Sequence, residues 1–207
     1  MMSREVRREK SDGSGLSKLH LGCFDRVFPG WINTDITPHI FIARVPGLAW
    51  LLYRARMMSE QRYGQHKKGI FRAISYLDVT KKFPYPDSWF DAVYCSHLLE
   101  HLYPEQARFC LSEIYRVLKT GGIVRISVPD LDRIVSHYDP SHPERFLEQM
   151  FESRQKRAKN QHHWHYNEIS LKQLFTGAGF LKIWRCGFKQ GQCPDVALID
   201  NRPELLI

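Results

Sequence analysis

The chain has 207 residues, of which 43% are hydrophobic and 25% charged. That composition describes one globular domain with a sizeable core and excludes fibrous or wholly disordered chains. A formal net charge of +8 favours anionic partners such as nucleic acid, acidic lipid or phosphorylated substrates. Five cysteines without CxxC spacing argue against a disulfide framework or a zinc site, and suit free thiols in a reducing cytoplasm.

Residues 1–16 form a basic tail with Arg4, Arg7, Arg8 and Lys10, ending in the linker-like SDGSG, and are expected to be disordered. The charged start lacks the apolar core of a signal peptide. Residues 17–207 form the domain. KLHLGC is a short strand with Leu19 and Leu21 on one face, and it runs into a tight turn at Gly22. WINTDI is a second strand ending at Asp35. An insert over residues 37–72 follows. It holds the apolar stretch Ile40–Tyr53, interrupted by Arg44, Pro46 and Gly47 and too short to span a bilayer, and then a basic stretch. AISYLDV is a third strand ending near Asp78, and FDAVYCSH a fourth, apolar enough to be buried on both faces.

Pro104 opens a helix whose stripe is Ala107, Leu111, Ile114 and Leu118, with Gly121 and Gly122 expected to stop it. IVRISVP is a fifth strand, Ser141 to Lys159 a charged exposed helix, and SLKQLFTGAGF a shorter helix. FLKIWRCGF and DVALID are late strand candidates. Strands alternating with helices predict an α/β fold: a mostly parallel central sheet with helices on both faces, in a single domain carrying a lid-like insert. Ligands of such sheets lie beyond the C-terminal strand ends at the switch point of strand order. This directs attention to Gly22, Asp35, Asp78, Ser96 and His97.

A dinucleotide needs three spaced glycines and a ribose acid about 20 residues on. Here Cys23 and Phe24 follow Gly22, and Asp35 comes after 35 − 22 = 13 residues. There is also no GK[ST] phosphate loop. An adenosyl cofactor without phosphates asks for less: one close backbone approach at Gly22, a ribose acid at Asp35, an adenine partner at Asp78, and an acceptor for the ammonium group at Ser96. S-adenosylmethionine fits that set better than NAD. Asp35 and Asp78 also suit turn and cap roles, which aspartate favours at strand ends.

LHLGCFDRVFPGWINTDI, LDVTKKFPYPDSWFDAVYCSHLLEHL, EIYRVLKTGGIVRISVPDLD and HHWHYNEISLKQLFTGAGF resemble the Rossmann-like (class I) S-adenosylmethionine-dependent methyltransferases. The likeness is to the methyltransferase type 11-like subgroup associated with polysaccharide and glycosyl-transfer functions. It covers residues 18 to 207, and FDxVxxxHxLEHL followed by RVLKxGG is its most specific part. The resemblance implies cofactor contacts at Leu21, Gly22, Cys23, Asp35, Asp78, Val79, Ser96 and His97. Phe24 departs from it, standing where the family usually has glycine, and the chain ends at RPELLI where the family tends to continue through a last strand.

Methyl transfer needs in-line approach above all, and an alcohol acceptor also loses a proton, for which His97 is the candidate catalytic base. His101 reads as a satisfied helix-start residue. The His97, Glu100, His101 spacing is shared with inverted zinc-protease signatures, but the surrounding motifs point to the cofactor site. In HHWHY the histidines lack a carboxylate or cysteine at ligand spacing, so no metal is expected. His163, Trp164 and Tyr166 are instead candidate acceptor contacts, since aromatic rings stack on sugars. The expected activity is methyl transfer to a small-molecule or glycan-linked acceptor, on oxygen, in the cytoplasm, with peripheral membrane contact through the insert. Two other readings stand beside it: an RNA methyltransferase, disfavoured by Ser96-His97-Leu98-Leu99 where base-amine enzymes carry an Asn/Asp-Pro-Pro-aromatic motif, and a non-catalytic module that binds S-adenosylmethionine.

Overall fold

The computed structural model describes residues 15–151, 161–200, 203, 205 and 206. Most of the expected basic tail, and the end of the expected helix from Ser141 to Lys159, lie outside the described residues. In chain order the elements are β1 (Lys18–Leu21), β2 (Ile32–Asp35), α1 (His39–Ile42), α2 (Leu48–Arg54), α3 (Glu60–Lys67), β3 (Ile74–Tyr76), β4 (Phe90–Ser96), α4 (Pro104–Val117), β5 (Leu118–Pro129), α5 (Leu131–Ser136), α6 (Pro143–Phe151), α7 (Glu168–Gly177), α8 (Val196–Ile199) and β6 (Leu205–Leu206). Short 3-10 turns at Ile70–Ala73 and Leu99–His101 precede β3 and α4.

The sheet order is β3-β2-β1-β4-β5-β6. The first five strands run parallel, and β6 pairs antiparallel with the end of β5 through Leu205 and Pro129. This is the expected α/β fold. β1 and β4 are central and buried along nearly their whole length, which their apolar runs anticipate.

One face carries the main core. Leu19 and Leu21 of β1, Val93 and Cys95 of β4, and Ile126 and Val128 of β5 meet Ala107, Leu111 and Ile114 of α4 and Leu171 and Phe175 of α7. The stripe in α4 is thus buried as the 3.6-residue period requires. Gly121 and Gly122 do not end α4. Leu118 is already extended, with φ −80° and ψ 135°, and both glycines lie in β5.

On the opposite face the helical cover is the short α8, whose Ile199 packs with Trp31 and Tyr94. β1 and β2 are joined by ten residues, 22 to 31, without a helix. This face is covered by that loop and the C-terminal segment: Phe28, Trp31 and Tyr94 pack with Cys193 and Ile199. Lys18 Nζ and Trp31 Nε1 both donate to Asp195 Oδ2, at 2.8 and 2.9 Å. The guanidinium of Arg125 on β5 clasps the Asp200 carboxylate, with both side chains almost fully buried. The strand candidate FLKIWRCGF is not part of the sheet, and DVALID forms the short helix α8. An isolated strand preference counts for little without a neighbouring edge to pair with.

Candidate active site

β1 feeds β2 on one side while β4 feeds β5 on the other, so the switch point lies between β1 and β4. The residues beyond these two strands are in contact. Gly22 has φ +65°, and a Cβ added to it would meet Leu98 Cδ1 at 3.1 Å. Only glycine combines that left-handed backbone with so close a neighbour. Leu21 is fully buried. Cys23 is 2% exposed, and its N–H donates to the Thr34 carbonyl at 3.0 Å. Burial and the nearby Asp35 push the Cys23 thiol far up, so it packs as a neutral group.

Phe24 is in the left-handed region, φ +47°. Its N–H donates to Asp35 Oδ2 at 2.9 Å, while Asp35 Oδ1 accepts from Thr37 N–H at 2.7 Å. The Phe24 ring lies 4.5 Å from the Arg62 guanidinium of α3. Arg62 and Gln65 both donate to Asp25 Oδ2, at 2.9 and 2.8 Å. The insert is therefore fastened onto the first loop, and Phe24 is turned toward the insert.

Asp78 lies past β3. Its Oδ1 accepts from the Thr80 N–H at 3.0 Å and hydroxyl at 2.7 Å, and Oδ2 pairs with Lys81 at 3.0 Å. These hydrogen bonds and the Lys81 charge outweigh desolvation and hold its carboxyl below the usual carboxylate range. Val79 is buried in the main core. Both aspartates thus cap local turns, as their position at strand ends suggests. Each Asp35 oxygen accepts one backbone amide and keeps a second lone pair, which suits a ribose diol, and the left-handed turn at Gly22 packs beside it against Leu98. The residues fit an adenosyl cofactor.

Beyond β4, His97 also has a left-handed backbone, φ +52°. Its N–H donates to the Ser127 carbonyl at 3.0 Å, and its Nδ1 lies 2.9 Å from Oε1 of the fully buried Glu100. A carboxylate only accepts, so Nδ1 carries the proton and Nε2 the lone pair. The strain is local and held by these bonds, as at many reactive sites.

The HHWHY segment reaches the same place from far along the chain. The N–H groups of His163 and Trp164 both donate to the Glu100 carbonyl, at 2.7 and 3.1 Å, and Leu131 N–H donates to the Tyr166 carbonyl at 2.9 Å. His163 stacks on Tyr103 with ring centroids 4.4 Å apart, and Trp164 is 48% exposed. Tyr166 differs from its expected surface role: it is 3% exposed and packs in the main core. Asn167 then caps α7 reciprocally with Ser170, both bonds at 3.0 Å. Sequence reasoning singled out His97 but missed Glu100 as its partner. The i, i+3 spacing on a turn was the available signal.

Residues 53–126 match the family described as methyltransferase domain. The fold is shared with an S-adenosylmethionine-dependent methyltransferase from Methanosarcina mazei, with TM-score 0.52, 14% identity, and coverage of 92% of this chain and 89% of that one. Two further similar structures are an S-adenosylmethionine-dependent methyltransferase from Archaeoglobus fulgidus (TM-score 0.47, 18% identity, 88% of this chain and 68% of that one) and the complex between the Haloferax volcanii Trm112 methyltransferase activator and a methyltransferase (TM-score 0.48, 17% identity, 84% of this chain). This chain spans 65% of the length of the Haloferax chain. No described helix is long and apolar enough to cross a membrane. Residues 53–126 are thus similar to the methyltransferase domain family, and the parallel sheet has the fold of S-adenosylmethionine-dependent methyltransferases.

Proposed function

We propose that the chain transfers a methyl group to an oxygen of a small-molecule or glycan-linked acceptor. The observation that carries this reading is the His97–Glu100 pair at the end of β4, beside the Gly22 loop. S-adenosylmethionine, when bound, supplies a methyl group on a sulfonium. Gly22 admits the cofactor, Asp35 holds its ribose, Asp78 and Val79 border the adenine, and Ser96 accepts from the ammonium group. His97 Nε2 takes the proton released by the acceptor hydroxyl, while Glu100 holds the ring in the required tautomer. Exposed Trp164 and the stacked His163 and Tyr103 offer ring faces for a sugar, which supports the glycan-linked class and a role in polysaccharide biosynthesis.

Calorimetry with S-adenosylmethionine tests the cofactor site. Binding that is lost in Asp35→Ala supports it, and no heat at millimolar ligand rejects it. Transfer of radiolabelled methyl to a panel of hydroxylated glycosides, with RNA as the competing arm, tests the acceptor. Labelling confined to RNA rejects the oxygen-acceptor reading.

The insert over residues 37–72 acts in this reading as a lid whose outer face meets an anionic membrane surface at the cytoplasmic side. Phe41, Val45, Trp50, Leu51 and Met57 are each at least half exposed, and Arg44, Arg54 and Arg56 lie exposed among them. Apolar anchors ringed by arginine match an acidic lipid headgroup layer. Cosedimentation with phosphatidylglycerol vesicles, reduced in a Trp50→Ala, Leu51→Ala variant and absent with phosphatidylcholine, is the expected result. Equal behaviour with both lipids rejects it.

A further inference from the structure

Glu168, the carboxylate that follows HHWHY in the sequence, pairs with Lys172 and Arg185, but the fold brings another carboxylate to the histidines. Glu100, on the 3-10 turn after β4, is 0% exposed. Its Oε1 faces His97 Nδ1, and its Oε2 has no hydrogen-bond partner among the described residues. Among those residues it pairs with no lysine or arginine. A buried carboxylate in that condition is costly and calls for a compensating cation or proton.

Two imidazoles stand beside it. Ligand atoms of Glu100, His101 and His162 all lie within 4.8 Å of one another. His101 Nδ1 is 3.2 Å from the Gln161 carbonyl. A carbonyl only accepts, so this nitrogen carries the proton and Nε2 keeps its lone pair. That is the arrangement by which a backbone carbonyl orients a metal-ligating histidine. His162 is 6% exposed, with its ring 5.0 Å from that of His101 and 5.1 Å from that of His165. His165 Nε2 is in turn bonded to the Met150 carbonyl. The two backbone bonds from His163 and Trp164 to the Glu100 carbonyl hold the segment in place, so the cluster is a built feature of the fold.

We propose that Glu100, His101 and His162 form a binding site for one divalent transition-metal ion, with zinc as its natural occupant. Two imidazole nitrogens and one carboxylate oxygen suit a borderline cation and leave a fourth position open. A tetrahedral ion with bonds of about 2.1 Å separates its ligand atoms by about 3.4 Å, so side-chain rotations of roughly an ångström close the set. Glu100 then serves two partners, the ion through Oε2 and His97 through Oε1. The fourth position is left for a water or another oxygen ligand.

The test uses the full chain, stripped with a chelator and titrated with Zn²⁺ by calorimetry and with Co²⁺ by visible absorption. One equivalent of Zn²⁺ and the intense Co²⁺ bands of a four- or five-coordinate site are expected. His101→Gln and His162→Gln should each weaken Zn²⁺ binding by about 10- to 100-fold or more. His39→Ala, which alters the separate His39–His66 pair of the insert, should leave it unchanged. Glu100→Gln is informative only if circular dichroism shows it folded, and the half-buried His101 carries the test otherwise. No stoichiometric binding, or binding undiminished in both His101→Gln and His162→Gln, overturns the site. S-adenosylmethionine binding measured on the same samples separates this outcome from failure of the methyl-transfer reading, because the metal titration needs neither cofactor nor acceptor.

Discussion

The backbone N–H of Phe24 donates to Oδ2 of Asp35 at 2.9 Å, tying the turn after β1 to the acid that ends β2. A residue in the left-handed region thus has its amide held by the carboxylate proposed to hold the cofactor ribose. Any change at one position reaches the other.

Asp35→Ala removes the acceptor for the Phe24 and Thr37 amides together with the proposed ribose partner. The expected cost is about 1–2 kcal/mol of stability, from two lost charge-assisted bonds at a half-buried site. S-adenosylmethionine affinity should fall at least tenfold. Urea unfolding and calorimetry read the two effects separately, and unchanged affinity would remove Asp35 from the cofactor site.

Phe24→Gly relieves a left-handed backbone, worth about 1 kcal/mol or slightly more, and gives up the Arg62 contact, worth about 0.5–1 kcal/mol. Stability should stay within about 1 kcal/mol of the parent, and cofactor affinity within a few-fold. A large gain in affinity would mean that the ring obstructs the cofactor.

Gly22→Ala forces a side chain into the left-handed region and against Leu98. A loss of about 1–2 kcal/mol is expected from the backbone alone. Adding Leu98→Ala should relieve the contact without restoring the backbone term, which a double-mutant cycle in urea resolves.

His20 is 3% exposed, stacked on Phe28 and placed 3.1 Å from Asn33 Oδ1. Burial pushes it down from 6.5 to about 4, with the Asn33 hydrogen bond opposing. Below pH 6.5 the unfolded chain binds the proton and the folded chain does not, so stability falls as pH drops through that window and levels off near pH 4. The contribution amounts to up to about 3 kcal/mol. Unfolding free energy measured across this range should lose most of that slope in His20→Leu.

The Arg125–Asp200 pair joins β5 to the C-terminal segment, with side chains 4% and 1% exposed. Arg125→Met leaves Asp200 buried without its cation, and a loss of about 3–5 kcal/mol is expected. Arg125→Met combined with Asp200→Leu should recover much of it. Thermal unfolding of the three variants compares them.

The strands β1 to β5 and the helix α4 are legible because each is a local pattern: a short apolar run bounded by turn residues, or a stripe at helical spacing. The strand-end positions of Gly22, Asp35, Asp78 and Ser96 are legible for the same reason, and the switch-point rule makes them the proposed cofactor site. The C-terminal third is not. FLKIWRCGF has strand-like composition, yet its place is governed by contacts such as Lys18–Asp195 and Arg125–Asp200, which link residues 177 and 75 positions apart. No window of sequence contains such a pair.

The sequence by itself determined the parallel sheet and the absence of a phosphate-gripping loop, and pointed to an adenosyl-type cofactor, because these depend on residue type and short-range spacing. Only the tertiary structure decided that Phe24 turns toward the insert, that Tyr166 enters the core, and that Glu100 meets His97, His101 and His162. Those are encounters between segments far apart in the chain, more than sixty residues for Glu100 and HHWHY, fixed by backbone bonds from HHWHY to the Glu100 carbonyl and by the packing of α4 and α7 on one face of the sheet.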